Sequence, residues 1–104
     1  MEKVAFKMKL KPGFEEEYRK RHAELWPELK QALEDSGILE YGIYLDRETG
    51  ILFALQKLED DHSTDELPGL AVMKKWWEYM KDIMEVNSDN SPVVTPLEEM
   101  FEMK

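Results

Sequence analysis

Apolar and polar residues alternate at the start of the chain. Val4, Phe6, Met8 and Leu10 occupy every second position, with a small or basic residue between each pair. A period of two places the apolar side chains on one face of a half-buried β-strand. The pattern predicts a first strand over Val4–Leu10.

The period changes to that of a helix after Pro12-Gly13. Apolar and aromatic positions then recur at spacings of three and four: Phe14, Tyr18, His22, Leu25, Leu29 and Leu33. This stripe predicts a helix that ends at Ser36-Gly37. Pro27 lies inside it and lacks the amide hydrogen that would bond to residue 23. We therefore expect either a kink after Trp26 or a new helix with Pro27 in its first turn.

Two segments rich in β-branched and aromatic residues follow, Ile38–Asp46 and Ile51–Leu58. The residues between them supply turn chemistry and end in Gly50, so the two segments predict a hairpin. Because side chains alternate along a strand, Tyr41 and Tyr44 are expected on opposite faces. At most one of these tyrosines can belong to a site on a single face.

A second helical stripe follows an acidic segment and Pro68-Gly69. It consists of Met73, Trp76, Trp77, Met80, Ile83 and Met84. The spacing predicts an amphipathic helix. Residues 87–92 are rich in Asn, Asp, Ser and Pro and predict a loop. Leu97–Met103 is predicted as a last short strand, although its three glutamates weaken the pattern.

The predicted order of elements is β-α-β-β-α-β. With right-handed crossovers it favours an α+β fold of the ferredoxin-like kind, an antiparallel sheet with both helices on one face. Residues 39, 41, 43 and 45 are predicted on one face of the second strand and Ile38, Gly42 and Tyr44 on the other. Both faces then carry apolar or aromatic groups. We expect an identical subunit to cover the free face, which makes the protein a homodimer.

The composition narrows the classes of partner. The 104 residues, of which 42% are apolar, fit one domain over residues 1–104. Fourteen Lys and Arg against 23 Asp and Glu give a net charge of −9, which repels nucleic acid and anionic membranes and favours a small neutral substrate. The absence of Cys excludes disulfides and thiol chemistry. Without a long apolar run for a signal or a membrane span, we expect a soluble, cytoplasmic protein.

His22 is the first candidate for chemistry. Its imidazole is the side chain that can both give and take protons near neutral pH. Tyr18 lies four residues earlier and therefore one turn away on the same face. The pair indicates a pocket lined by the first helix. The competing interpretation is a histidine and a tyrosine that simply belong to the core.

Trp76 and Trp77 are the second candidate. Adjacent residues point about 100° apart around a helix, so both cannot face the centre of one narrow stripe. Indole rings suit the apolar face of a sugar and their N–H groups can donate to hydroxyls, which favours a carbohydrate pocket. A wide core stripe or a dimer contact explains the same pattern.

The sequence gives no support for a metal or a cofactor. His62 lies in an acidic loop without the spacing of metal ligands. Glycine-rich phosphate loops and nucleophile elbows are also missing. We therefore expect neither a metal site nor a cofactor.

Five segments of the chain, in order, resemble the L-rhamnose mutarotase family. They are Tyr18-Arg19-Lys20-Arg21-His22, Leu25-Trp26-Pro27-Glu28-Leu29, Tyr41-Gly42-Ile43-Tyr44-Leu45-Asp46, Trp76-Trp77-Glu78-Tyr79-Met80 and Asp89-Asn90-Ser91-Pro92-Val93. The resemblance spans nearly the whole chain and is weakest over residues 59–72. It implies a dimeric α/β barrel built on the ferredoxin-like unit. It also implies that His22 is the proton donor and that the sugar is contacted by Tyr18, Tyr41, Trp76 and Trp77.

The activity implied by the resemblance is that of an isomerase acting on L-rhamnose. In mutarotation a base removes the proton of the anomeric hydroxyl, an acid protonates the ring oxygen, and the ring opens and recloses. Only O–H protons move, so no cofactor is needed. We expect His22 to protonate the ring oxygen, the two tyrosines to orient the sugar and the two tryptophans to form an apolar platform. The partner base is left open between a tyrosine oxygen, an acidic residue and water.

Three other functions compete with this prediction. The dimeric α/β barrel hosts many chemistries, among them cofactor-free monooxygenation of aromatic substrates. The same aromatic pocket would also serve a non-catalytic sugar-binding module. A dimerisation domain without a pocket is the third alternative.

Overall fold

The computed structural model describes residues 1–103 of the chain, which form strands, α-helices and one 3₁₀ helix. In chain order they are β1 (Glu2–Lys9), α1 (Glu15–Ala23), α2 (Pro27–Asp35), β2 (Ile38–Asp46), β3 (Ile51–Leu58), the 3₁₀ helix (Thr64–Gly69), α3 (Ala71–Met80) and β4 (Thr95–Leu97). None of the helices within residues 1–103 has the length and apolar character needed to cross a bilayer.

The strands form one antiparallel sheet in the order β2-β3-β1-β4. β1 lies between β3, which forms the hairpin with β2, and the edge strand β4. This order is the ferredoxin-like arrangement. The hairpin turn closes at Gly50, whose φ of 74° is accessible to glycine without steric cost. The predicted α+β class, the first strand and the hairpin are therefore confirmed.

The stripe from Phe14 to Leu33 forms two helices rather than one. Trp26 has an extended ψ of 130°, and Pro27 is the first residue of α2. The proline ring needs no amide hydrogen at that position, so a new helix costs less than a kink within one helix. The structure thus selects the second of the two predicted outcomes.

The core lies between the helices and one face of the sheet. From the sheet it contains Met8, Leu52, Ala54 and Leu58, and from the helices Leu29, Met73, Trp76 and Met80. Because Leu52, Ala54 and Leu58 are separated by even numbers of residues, they project to the same side of β3.

A β-bulge changes the predicted faces of β2. The register with β3 shifts between Ile38 and Glu40, so the alternation restarts after the bulge. Ile38 is buried in the core. Tyr41, Ile43 and Leu45 lie on the same side of the sheet, although each of them is an odd number of residues after Ile38. The prediction that placed Ile38 on the face opposite Tyr41 was wrong, because a simple period of two does not reveal a bulge.

The helix predicted from the second apolar stripe, α3, ends before that stripe does. α3 stops at Met80, and Ile83 and Met84 are buried outside it. The amide of Lys11 bonds to the carbonyl of Ile83, and Met84 forms a bridge with Leu10. Backbone pairing with the end of β1 therefore replaces the last helical turn that the stripe predicts.

The last strand also differs from the prediction. β4 is Thr95–Leu97, and residues 98–103 have no regular secondary structure. In that tail Met100, Phe101 and Met103 are 81–86% exposed, while Glu102 pairs with Lys3 at 3.0 Å. Neither side of the tail is buried within the protomer, so it gains little by adding to the sheet.

The second face of the sheet carries exposed apolar side chains. Leu55 pairs in register with Ala5, which in turn pairs with Leu97. Tyr44 and Phe53 form the neighbouring pair. Tyr44, Phe53, Leu55 and Leu97 are all exposed, in agreement with the expected free face.

Candidate functional site

An open cavity lies on the helix side of the sheet. Its volume is about 1240 Å³, and it is bordered by the sheet, α1, α3 and the segment 90–94. All five residues predicted for the site line it: Tyr18, His22, Tyr41, Trp76 and Trp77. Tyr44 is on the other face of β2, as the alternation of the strand predicted.

His22 is held between two aromatic rings. Its ring stacks on that of Tyr18, with centroids 4.3 Å apart and planes 29° apart. The ring of Trp76 meets it edge to face at 5.4 Å and 89°. The helical spacing of residues 18 and 22 produces the first contact, and the packing of α3 against α1 produces the second.

A hydrogen bond assigns the proton on the His22 ring. Nδ1 lies 3.0 Å from the carbonyl oxygen of Tyr18. Because a carbonyl oxygen only accepts, Nδ1 must carry the hydrogen and donate it. In the neutral ring this leaves the lone pair on Nε2. Nε2 is thus the ring atom available to exchange a proton with a ligand.

The surroundings also favour the neutral ring. Burial lowers the pKa of His22 below its ordinary value of 6.5, while the bond to the Tyr18 carbonyl acts in the opposite direction. Burial penalises an imidazolium because the charge loses its hydration. At neutral pH His22 therefore carries an accepting Nε2.

The two tyrosines remain protonated near neutral pH. Burial raises the pKa of Tyr18, and repulsion from the nearby Tyr41 phenolate adds to the rise when both groups ionise. Tyr41 is 41% exposed as a whole residue, but its hydroxyl lies among protein atoms, and burial raises its pKa as well. Both phenols can donate a hydrogen bond to a neutral ligand.

α3 contributes two indole rings of different burial. Trp76 belongs to the buried core, whereas Trp77 is partly buried and packs against it. Their adjacent positions point in different directions around the helix, yet both reach the cavity. Trp76 therefore belongs to the core, which was one of the alternatives for this pair, and both indole rings also border the cavity.

An aromatic cluster that the sequence analysis did not assign supports Trp76. Trp26 meets Trp76 edge to face at 5.1 Å, and Tyr79 lies 5.7 Å from Trp76 and 5.4 Å from Trp26. Trp26 and Tyr79 both occur in the segments that resemble the mutarotase family, which was the available signal. The cluster limits the orientations open to the Trp76 ring.

Arg21 joins α1 to the end of α3. Its side chain is only 11% exposed and binds Asp82 through two bonds of 2.9 and 3.3 Å. It also donates to Glu17 at 2.8 Å and to the Tyr79 carbonyl at 2.7 Å, and lies over the Tyr79 ring. The bond from Arg21 holds the pKa of Asp82 below its usual range. These contacts fix α1, and with it His22, against α3.

The loop before β4 completes the border of the cavity. Asn90, Ser91 and Pro92 line it, and Asn90 donates to Glu78 on α3 at 2.7 Å. Asn90 has a φ of 70°, a conformation that asparagine tolerates better than most residues. This segment, which is one of those that resemble the mutarotase family, therefore forms a border of the cavity that is attached to α3.

Known proteins are similar to this chain over nearly its whole length. The sequence profile of the L-rhamnose mutarotase family matches residues 3–103. Proteins named L-rhamnose mutarotase from Phocaeicola vulgatus and Bacteroides thetaiotaomicron are each 56% identical over 103 residues, covering 99% of both chains. The crystal structure of an L-rhamnose mutarotase from Formosa agariphila has a TM-score of 0.92 at 53% identity, covering 100% of both chains.

More distant structures share only the fold. A crystal structure described as an antibiotic biosynthesis monooxygenase has a TM-score of 0.60 at 13% identity, over 94% of this chain and 97% of that one. Identity this low carries no statement about activity. By contrast, the matches to proteins named L-rhamnose mutarotase have 53–56% identity over 99–100% of both chains. The chain belongs to the L-rhamnose mutarotase family.

Proposed function

We propose that the protein interconverts the α and β anomers of L-rhamnopyranose, as an isomerase of the racemase and epimerase class. The observation that carries the proposal is the family match over residues 3–103. The cavity supports it, because one histidine with a free Nε2 lies among aromatic rings and phenol donors. Residues 1–104 act as one domain in this proposal.

The reaction transfers one proton between two oxygens bound to the same carbon. In the proposal, neutral His22 removes the proton of the anomeric hydroxyl at Nε2 and then delivers it to the ring oxygen. The bond between C1 and the ring oxygen breaks while the C1 carbonyl forms. After rotation about the C1–C2 bond, the same steps in reverse close the ring as the other anomer. A single imidazole then serves as both base and acid, and no cofactor takes part.

The tuning of His22 suits both steps. Burial keeps the ring neutral before the reaction, so Nε2 is ready to accept. The same burial makes the imidazolium a stronger acid once it has formed, which favours delivery to the ring oxygen. Positioned acid and base catalysis contributes about 10²–10⁴-fold. That range is adequate because the reaction already proceeds in water.

The other site residues bind the sugar in this proposal. Tyr18 and Tyr41 donate hydrogen bonds to its hydroxyls and orient the anomeric centre toward Nε2. Trp76 and Trp77 offer apolar surface to the C–H face of the ring. Hydrophobic walls with a few placed polar groups are typical of small-molecule sites.

A homodimer is part of the same proposal. The free face of the sheet exposes Tyr44, Phe53, Leu55 and Leu97. A second copy of the chain related by a two-fold axis would cover these side chains. A cytoplasmic location also belongs to the proposal and is tested by cell fractionation.

Saturation transfer between the anomeric protons of L-rhamnose tests the activity. At equilibrium, irradiation of one anomeric proton should reduce the signal of the other only when native protein is added. Heat-inactivated protein and buffer alone are the controls, because uncatalysed exchange is too slow for the effect. If L-rhamnose binds to the folded protein without transfer, the protein is a sugar-binding module and the proposed activity is wrong.

A further inference from the structure

The helix α1 carries His22 and Tyr18 but contributes little to the core. Among its nine residues, all of which the structure describes, only Tyr18 is buried, whereas α3 buries Met73, Trp76 and Met80. Isolated helices of this length are marginal, and most of the stability of a helix in a protein comes from packing of its apolar face. The position of His22 therefore depends on a further attachment of α1.

Arg21 supplies an attachment to the end of α3. Nη1 donates to the carbonyl oxygen of Tyr79 at 2.7 Å and to Asp82 at 2.9 Å, and Nη2 donates to the second carboxylate oxygen of Asp82 at 3.3 Å. The carbonyl of Tyr79 is one of the last four of α3, which receive no hydrogen bond from within the helix. Nε donates to Glu17 on α1 at 2.8 Å, which fixes the guanidinium relative to its own helix. A planar fork of donors fixes orientation as well as distance.

The same guanidinium contacts the aromatic cluster around Trp76. It lies over the Tyr79 ring, 4.4 Å from the centroid, and the rings of Tyr79 and Trp76 are 5.7 Å apart. The Trp76 ring in turn meets the imidazole of His22 edge to face at 5.4 Å. We propose that Arg21 is a positioning residue that holds the imidazole of His22 at the distance from Trp76 that proton transfer to the bound sugar requires. The inference rests on the proposed function, since it assumes that the cavity binds and isomerises L-rhamnose.

Arg21→Met tests the inference, because it keeps an unbranched apolar stem and removes every donor of the guanidinium. We expect kcat to fall about 10- to 100-fold, since a displacement of the reacting groups on the order of 1 Å has effects of that size. Kd for L-rhamnose should change less than about threefold, because Tyr41, Trp76 and Trp77 lie on β2 and α3. Both constants are measured where circular dichroism shows a folded protein. A residue that only stabilised the fold would leave kcat of the folded protein unchanged.

Asp82→Ala removes the partner of Arg21 on the segment after α3. The Asp82 side chain is 60% exposed, so this variant should fold even where Arg21→Met does not. We expect a smaller loss of kcat, about three- to tenfold, because the bond to the Tyr79 carbonyl remains. In the Arg21→Met background the same substitution should change kcat less than about twofold, since the bond is already lost. An unchanged kcat for Asp82→Ala, or losses that add in the double variant, would overturn the inference.

Arg47→Met is the matched control. Arg47 also donates to α1, at Glu16 with a distance of 3.1 Å, but the two side chains are 61% and 75% exposed. Because exposed ion pairs contribute little, its replacement should leave kcat within about twofold of the unmodified protein. If folded Arg21→Met is as active as this control, or if its loss lies in Kd rather than kcat, the inference is wrong while the proposed activity stands. If the unmodified protein shows no anomer exchange, the proposed activity and the inference both fail.

Discussion

At the scale of single residues, the chemistry depends on which nitrogen of His22 carries the hydrogen. The Tyr18 carbonyl lies one turn before His22 and holds Nδ1–H at 3.0 Å. The aromatic rings on either side restrict rotation of the imidazole. The neutral tautomer and its orientation are therefore determined before a ligand enters, which is the condition for efficient proton transfer.

Replacing His22 with Asn should remove the proton carrier and keep the helix intact. The Asn amide N–H can still donate to the Tyr18 carbonyl, but no titratable group remains at the position of Nε2. We expect kcat to fall about 10²–10⁴-fold, while Kd for L-rhamnose changes only a few-fold. Saturation transfer gives the rate, and tryptophan fluorescence gives the affinity.

The matched control is His62→Asn, because the chain contains two histidines. His62 Nδ1 bonds to Thr64 within the segment before α3, and its Nε2 lies 3.4 Å from Glu2. Its replacement should leave the rate within about twofold, since no proton transfer in the proposal involves it. A His22→Asn variant as active as this control would contradict the assignment of His22.

The pH dependence of kcat/KM should report neutral His22. Because burial lowers its pKa, the rate should be level above pH 6.5 and remain level somewhat below it. At lower pH the rate should fall, about tenfold per unit once the imidazolium predominates. Rates measured from pH 4.5 to 8, after subtraction of uncatalysed exchange, check this. A rate that increases toward low pH would show instead that His22 must start protonated.

The same group should make folding stability depend on pH. The unfolded chain binds a proton at His22 near pH 6.5, and the folded protein does so only at lower pH. The stabilising contribution is thus fully present above 6.5 and is lost as the pH falls through the folded pKa. His22→Asn should remove this part of the dependence in urea unfolding measured at pH 5 and 7.5. An unchanged dependence would mean that burial does not favour the neutral ring.

The sequence predicts part of this arrangement. Residues four apart on a helix must be neighbours, so the pairing of Tyr18 with His22 follows from spacing. The tautomer depends on the distance between Nδ1 of His22 and the carbonyl oxygen of Tyr18, which no sequence pattern gives.

At the scale of elements, strong local signals gave correct predictions and long-range pairing caused the errors. Pro27 marks the start of α2 because it fits only the first helical turn. The hairpin ends match the predicted limits because a turn and two β-rich segments coincide. The end of α3 was placed too late, since residues after Met80 pair with β1, which is distant in the sequence.

Gly37 needs to be glycine for two reasons, a positive φ and a close approach to His62, which is distant in the sequence. It has a φ of 100°, and an added Cβ would lie 2.8 Å from the Cβ of His62. Gly13 has a comparable φ of 90° with no atom within 4 Å of an added Cβ. The two glycines therefore share the conformational need and differ in the steric one.

Alanine at each glycine should separate these effects. Gly13→Ala should lower the free energy of unfolding by about 1–2 kcal/mol, the cost of a positive φ for an L-residue. Gly37→Ala should cost at least about 1 kcal/mol more, because the 2.8 Å approach of the added Cβ to the Cβ of His62 must also be relieved. Urea unfolding monitored by tryptophan fluorescence measures both. Equal losses would show that the contact with His62 carries no strain.

At the scale of the whole molecule, the two faces of the sheet have different roles. The helix side encloses the core and the cavity, and the other side exposes Tyr44, Phe53, Leu55 and Leu97. Contiguous apolar surface of this kind is typical of an interface. The sequence predicted the free face from the order of elements. It did not predict that the C-terminal tail would be exposed as well.

Leu55→Glu should disrupt the proposed dimer without unfolding the protomer. Leu55 is 50% exposed and lies in the row of Gly42, Ala5 and Leu97, so a carboxylate there is hydrated in a monomer but desolvated in a dimer. Sedimentation equilibrium should show a dimer for the unmodified protein and a monomer for the variant, with unchanged circular dichroism.

Leu70→Glu is the control for the charge and the loss of an apolar side chain. Leu70 is 40% exposed but lies before α3, away from the free face. Its replacement should therefore leave the dimer intact, because the added carboxylate stays in water. If Leu55→Glu remained a dimer, the free face would not be the interface. If the unmodified protein sedimented as a monomer, the apolar side chains of this face would be exposed in solution, and the proposed homodimer would be wrong.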